Sequence, residues 1–196
     1  MRMVTISEET CLTIENLQGI AYDEKADTIW MACGNSIQEI SKSGEILNVL
    51  LLEEFQKFQF NGICYDSNTD TLWVLCYDKH LINITKHGIC LNAVGSNFKG
   101  QDMLCIYDGQ LYITVGADYV SNNNYCVIYD LVTGSFSVKW RLDGSYAIEG
   151  IYVDENKMFI VNDGAFHTAK IPRTYLAIYQ RSINDDFPEE ELAITR

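Results

Sequence analysis

Residues 61–73 read NGICYDSNTDTLW, and residues 18–30 read QGIAYDEKADTIW. The same phrase stands twice in the chain, with Gly19 and Gly62 separated by 43 positions. That interval is too long for a hairpin and suits a repeated supersecondary unit. Inside the phrase an apolar run meets a polar turn and then a second run centred on tryptophan. An Asp entering such a turn accepts hydrogen bonds from the backbone two residues on. Two short strands joined by a tight turn are the direct reading.

Each phrase continues in parallel. The first unit runs LQGIAYDEKADTIWMACGNSIQEISKSGEILNVLLL and the second FNGICYDSNTDTLWVLCYDKHLINITKHGICLNAV. Looser copies follow in QDMLCIYDGQLYITVGADYVSNNNYCVIYDLVTGSFSVKWRL and AIEGIYVDENKMFIVNDGAFHTAKIPRTYLAIYQ. Asp23, Asp66, Asp108 and Asp154 step by 43, 42 and 46. The glycines of a later turn, Gly44, Gly88 and Gly134, step by 44 and 46 and suit a position of positive φ. Trp30, Trp73, Tyr112 and Phe159 recur in the second strand, where large rings would fill the space between neighbouring sheets. No helix of convincing length is predicted; EEFQKFQF at 53–60 is the nearest candidate.

Four antiparallel strands repeated every 40–50 residues make a propeller blade. Four units predict an all-β, four-bladed β-propeller, a single domain over 1–183 followed by an acidic tail at 184–196. The blades fall at about 17–55, 59–99, 101–142 and 146–180. The fourth unit shows three clear strands. Its outer strand is expected from the N-terminal segment, 3–6 or 11–14, with 191–195 as a competing source. A homodimer in which two four-blade halves share a larger ring is the competing assembly.

The bulk composition narrows the function. The 196 residues carry 27 acidic and 14 basic side chains, a formal charge of -13. Such a surface repels phosphate backbones, so nucleic acid is not an expected partner. Seven cysteines stand without C-x-x-C spacing, and Cys33, Cys64, Cys76 and Cys105 fall inside apolar runs. They read as reduced core thiols of a cytosol-like compartment. The N-terminus MRMVTISEET lacks a signal-peptide run, and no stretch is long and apolar enough to span a bilayer. A cytoplasmic protein is expected.

At Gln18-Gly19-Ile20-x-Tyr22-Asp23, and again at Glu149-Gly150-Ile151-Tyr152, the chain resembles bacterial propellers of the SdiA-regulated type. It also resembles the wider NHL, SMP-30 and strictosidine-synthase-like group, in which this motif opens the innermost strand of a blade. The resemblance covers roughly 17–180 and specifies a blade more than an activity. Six blades are usual in that group, against four units here. It implies that oxygen ligands near the central tunnel can hold calcium. On this sequence those positions are Gln18, Asn61, Asp102 and Glu149, with Asp102 one step out of register beside Met103. Oxygen ligands of that kind suit a hard cation such as Ca²⁺.

A second set of polar residues follows the second strands: Asn35, Asp78, Asp118, and Asn162 with Asp163. Asn and Asp there serve equally as turn formers. The longest such loop, DYVSNNNY at 118–125, interrupts the tight repeat. It is the expected recognition element, with Tyr119, Asn122, Asn123, Asn124 and Tyr125 as partner contacts. His80 and His167 occupy comparable loops, and the SMP-30 resemblance suggests a general-base role, without an identifiable orienting group. No catalytic residue is assigned, since no nucleophile elbow, P-loop, zincin or dinucleotide motif is present. The tail NDDFPEEE at 184–191 offers five carboxylates around Phe187 for a basic partner, or simply a solvated end.

The expectation is therefore a non-enzymatic binding or assembly module for a protein partner or a further copy of itself. Its compact size suits a bacteriophage structural or accessory protein. The alternative is a calcium-dependent, lactonase-like hydrolase or a small-ligand binder using the central tunnel.

Overall fold

The computed structural model describes residues 16–180, apart from positions 78 and 97. The first sheet holds β1 (Leu17–Asp23), β2 (Thr28–Cys33), β3 (Ser36–Ile40) and β4 (Ile46–Leu50). The second holds β5 (Phe60–Asp66), β6 (Thr71–Cys76), β7 (His80–Thr85) and β8 (Cys90–Gly95). The third holds β9 (Gln101–Tyr107), β10 (Gln110–Val115), β11 (Tyr125–Asp130) and β12 (Ser135–Arg141). The fourth holds β13 (Ile148–Val153), β14 (Lys157–Asp163) and β15 (Thr174–Gln180). Every sheet is an antiparallel meander in chain order, and together they form a four-bladed β-propeller. The helical candidate at 53–60 is a single 3-10 turn, Glu53–Phe55, that buries Phe55 between blades 1 and 2.

The turn chemistry follows the repeat with one departure. Asp23 accepts the N–H groups of Lys25 and Ala26, and Asp154 those of Asn156 and Lys157. Asp66 accepts the Asn68 N–H and the Thr69 hydroxyl. Asp108 differs: it adopts φ 48° itself and, with Gly109 at 72°, forms a two-residue hairpin turn. Gly44, Gly88 and Gly134 have φ of 85°, 81° and 67°, the left-handed conformation their turn requires.

Inner strands pack in succession, β1 on β5, β5 on β9 and β9 on β13. Each blade presents a forward face to the next blade and a rear face to the one before. Trp30 leads the forward face of blade 1 into a core with Ile63, Leu72, Val74 and Ile82 of blade 2. Trp73 does the same for blades 2 and 3 with Leu104, Leu111 and Ile113. Tyr112 serves blades 3 and 4 with Ile148, Met158 and Ile160. Burying a ring of this size is worth roughly 3 kcal/mol at each seam. The fourth aromatic, Phe159, points away from all three seams, is half-buried and touches Tyr152 at 5.9 Å.

The segments expected to complete blade 4 (3–6, 11–14 and 191–195), together with the acidic tail, lie outside the described residues. Among the described residues six cysteines are free thiols; Cys33, Cys64, Cys76 and Cys126 are buried and Cys105 is half-buried. Burial pushes the Cys76 thiol up to about 12. No described helix is long and apolar enough to cross a membrane.

Candidate functional site

All four innermost strands slip register at the same place. Against its neighbour, the chain gains one residue between Leu17 and Gly19, Phe60 and Ile63, Gln101 and Leu104, and Ile148 and Gly150. The bulges fall on the residues singled out as oxygen bearers: Gln18, Asn61, Asp102 and Glu149. A bulge bends its strand and re-aims the extra side chain, which gives the repeated polar–glycine pair a physical role. In blade 3 the Thr114 hydroxyl accepts the N–H of Met103 and donates to its carbonyl, holding the bulge where glycine is absent.

Three of these four residues come together. Asn61 Nδ2 donates to Asp102 Oδ1 at 3.4 Å. Burial, followed by the nearby Glu149 charge, raises the Asp102 carboxyl to about 7, against the opposing effects of Asn61 and His167. Glu149 Oε1 lies 2.6 Å from His167 Nε2. Tyr119 stacks on the His167 ring at 4.6 Å and 19° between planes, with Phe166 edge-on to the same ring at 5.0 Å. Burial and the charges of Asp102 and Glu149 push the Tyr119 phenol up. The result is a chain Asn61–Asp102–Glu149–His167–Tyr119 running across blades 2, 3 and 4.

Gln18 is not part of it. Its side chain is exposed and makes no hydrogen bond to the other three, because β1 and β13 lack the packing that joins the other inner strands. The fourfold oxygen set expected from the sequence is therefore not assembled. Asn61, Asp102 and Glu149 remain the residues able to offer oxygen to a cation. Among the described residues no three His, Cys, Asp or Glu side chains are grouped as metal ligands.

The sequence singled out His167 by its loop but offered no orienting group for it; the structure supplies Glu149. His167 sits on the tight loop after β14, where a Cβ on Gly164 would lie 2.0 Å from the Ile171 carbonyl oxygen. The loop therefore closes only around glycine and carries His167 back over Glu149. His80, its supposed counterpart, packs edge-on against Phe55 and Phe58 at 6.0 and 5.6 Å and has no part in the cluster.

Beside the cluster lies an open recess of about 770 Å³, lined among others by Tyr77, Lys99, Tyr119, Ser121, Asn123 and Tyr125. Its rim is the 118–125 loop, whose residues divide sharply in role. Asp118 accepts the N–H groups of Ser121, Val120 and Asn123, which depress its carboxyl below the ordinary range. Asn124 is buried: it accepts the Asp118 N–H and donates to the carbonyls of Asp118 and Ser145. Asn122 adopts φ 59°, donates to Asp143 and accepts the Gly144 N–H. Asn122 and Asn124 thus hold the loop in shape. Asn123 and Tyr119 face the recess, while Tyr125 opens β11 and meets Phe98 edge-on at 6.4 Å.

The remaining polar set is largely structural. Asn162 is fully buried and bonds Ser145, Tyr146 and Ile160; Asp163 accepts from Phe166 and Thr174. Asn35 is exposed in the β2–β3 turn, and Asp78 lies outside the described residues.

No protein-family model matches the chain, and no curated protein matches its sequence. Solved structures share its fold. The Pan2 WD40 domain of Neurospora crassa aligns over 84% of this chain and 48% of its own, at 12% identity and a TM-score of 0.60. The hydrazine synthase of Kuenenia stuttgartiensis aligns over 74% of this chain and 43% of its own, at 12% identity and a TM-score of 0.59. The computationally designed Ika4 protein aligns over 93% of this chain and 99% of its own, at 9% identity and a TM-score of 0.55. The chain thus spans just under half the length of the two natural proteins. At these identities the likeness defines the class, a β-propeller, and nothing finer.

Proposed function

We propose that the protein is a non-enzymatic β-propeller binding module that recognises a protein partner through the recess beneath the 118–125 loop. The observation that carries this reading is the division of labour within that loop. Asn122, Asn124 and Asp118 hold the backbone rigid, which leaves Tyr119 and Asn123 to line the recess with Tyr77 and Tyr125. Tyrosines on a fixed frame offer large contact area at little entropic cost. A role in a bacteriophage particle or its accessory machinery, and kinship with SdiA-regulated or NHL-type propellers, are compatible with this reading and stay within it.

A photo-crosslinker at Asn123, compared with one at the exposed Val132 turn, tests it. The expected result is one crosslinked macromolecule at 123 alone, lost on Tyr77→Ser. Equal crosslinking at both positions, or none at 123, overturns the reading.

A second reading rests on Asp102. A carboxyl titrating near 7 beside a Glu–His pair is the kind of group that activates water or binds a small polar ligand. Calorimetry with calcium and with lactone or ester substrates separates the readings. Heat or turnover abolished by Asp102→Asn favours the tunnel; none leaves the binding module.

A further inference from the structure

Blade 4 carries a forward face built like the other three, with no further blade among the described residues to receive it. Gly19 and Gly62 are tight against the next blade: a Cβ on Gly19 would lie 2.5 Å from the Asn61 carbonyl oxygen, and one on Gly62 2.6 Å from Leu104 Cδ2. The equivalent Gly150 meets only Val161 of its own blade, at 3.4 Å, among the described residues. Phe159 stands where Trp30, Trp73 and Tyr112 fill seams, yet it is only half-buried. Around it Tyr152, Leu176 and Ile178 are 63%, 54% and 54% exposed.

The rear face of blade 1 is the matching half. Ile20 and Tyr22 are the equivalents of Ile63 and Tyr65, which lie in the first seam at 3% and 7% exposure. Ile20 and Tyr22 are 67% and 52% exposed. On the same face Met31, Cys33 and Ile40 are buried at 3%, 5% and 7%, so the part open to a neighbour is the inner-strand side that carries Ile20 and Tyr22. Charge is matched as well. In the first seam Lys86 holds Asp70 of its own blade and reaches Asp23 of the blade before, while lying over the Tyr65 ring. Lys42 repeats the local half of this arrangement, pairing with Asp27 over the Tyr22 ring. The residue equivalent to Asp23 in a preceding blade 4 is Asp154.

We propose that a second copy of the chain completes the ring: blade 4 of each copy seats its forward face on the rear face of the other's blade 1. Gly150 then takes the inner strand of the second copy as Gly19 takes β5. Phe159 fills the seam, and Lys42 reaches Asp154 of the second copy. The contact is head-to-tail, and two such seams related by a two-fold axis close a ring of eight blades without leaving either face open. The complementarity is the one the chain already uses at its three internal seams, so the second copy is the occupant that both faces fit. The proposal concerns the edges of the chain and stands whether or not the recess binds a partner.

Sedimentation and light scattering test it. The wild-type protein is expected at twice the 22.3 kDa chain mass. Gly150→Ala, Ile178→Lys and Ile20→Lys alter positions that no neighbouring blade covers among the described residues. Each is expected to give the one-chain mass with an unchanged circular dichroism spectrum. Mixing Ile178→Lys with Ile20→Lys chains is expected to restore the two-chain species, because that pair keeps one intact seam. A wild-type chain that sediments alone at its highest soluble concentration overturns the proposal. So do filaments, a pair that survives all three substitutions, or a mixture that stays monomeric.

Discussion

Lys86 on blade 2 lies 3.0 Å from Asp23 on blade 1, tying a half-buried ammonium to a carboxylate with no exposed surface. The two residues are 63 positions apart, and their contact staples the first seam at the turn end of the inner strand. Burial alone would raise the Asp23 carboxyl. The Ala26 N–H, the Lys86 ammonium and the Lys25 N–H outweigh it and hold the carboxyl below its ordinary range.

Lys86→Met keeps the stem and removes the charge. It leaves Asp23 with its turn N–H groups and the neighbouring Tyr65 phenol, at an expected cost of about 1–3 kcal/mol. Because the folded carboxyl is depressed, the stabilisation is present above the ordinary aspartate range and fades as pH falls below about 4. Urea titrations at pH 7 and pH 3 check this: the difference between wild type and variant should shrink at the acid end.

Asp102 has the opposite sign. Its folded carboxyl is raised to about 7, so the native state keeps a proton that the unfolded chain loses near 4. Stability should decline between those values by about 1 kcal/mol per pH unit. Asp102→Asn should flatten the profile, so that its melting temperature gains on the wild type more at pH 8 than at pH 5. Parallel profiles would place the titrating group elsewhere.

The bulge glycines separate closed from open positions. Gly19→Ala forces a methyl group against the Asn61 carbonyl and should cost about 1–3 kcal/mol. Gly150→Ala meets only Val161, at 3.4 Å, among the described residues and should leave the unfolding free energy of a single chain within about 0.5 kcal/mol. Denaturant titration at low protein concentration measures both.

Asn124→Ala removes a buried amide with three backbone partners and should cost about 1–3 kcal/mol, loosening the loop that shapes the recess. Asn123→Ala should leave stability unchanged. Hydrogen exchange at residues 118–125 distinguishes them: only the first substitution should speed exchange across the loop.

The architecture was legible because it is periodic. Asp23, Asp66 and Asp154 perform the turn role their spacing implies, and the aromatic series marks the forward faces. Asp108 misled slightly, since Asp-Gly can turn a strand in two residues where its counterparts need more. The bulge set was visible as a polar residue beside glycine, and even the displaced Asp102 proved to sit on its bulge. The failure of Gln18 to join the set was invisible, because it depends on how β1 and β13 meet. His167 was named from the sequence, but its pairing was equally hidden: a loop closed on Gly164 brings it to Glu149, and no spacing rule encodes that closure. In the 118–125 loop, composition could not distinguish Asn124, which is structural, from Asn123, which is presented to the recess.

Every blade is a meander of consecutive strands, so the backbone pairing within a blade joins neighbours along the chain. Pulled by its ends, such a molecule should come apart a module at a time, starting from an outermost one. Each rupture would pay out about 150 Å of extended chain, the contour of some 43 residues. Tethering the same chain into a closed circle would deny traction any loose margin from which to start, and the first rupture would then require a markedly larger force.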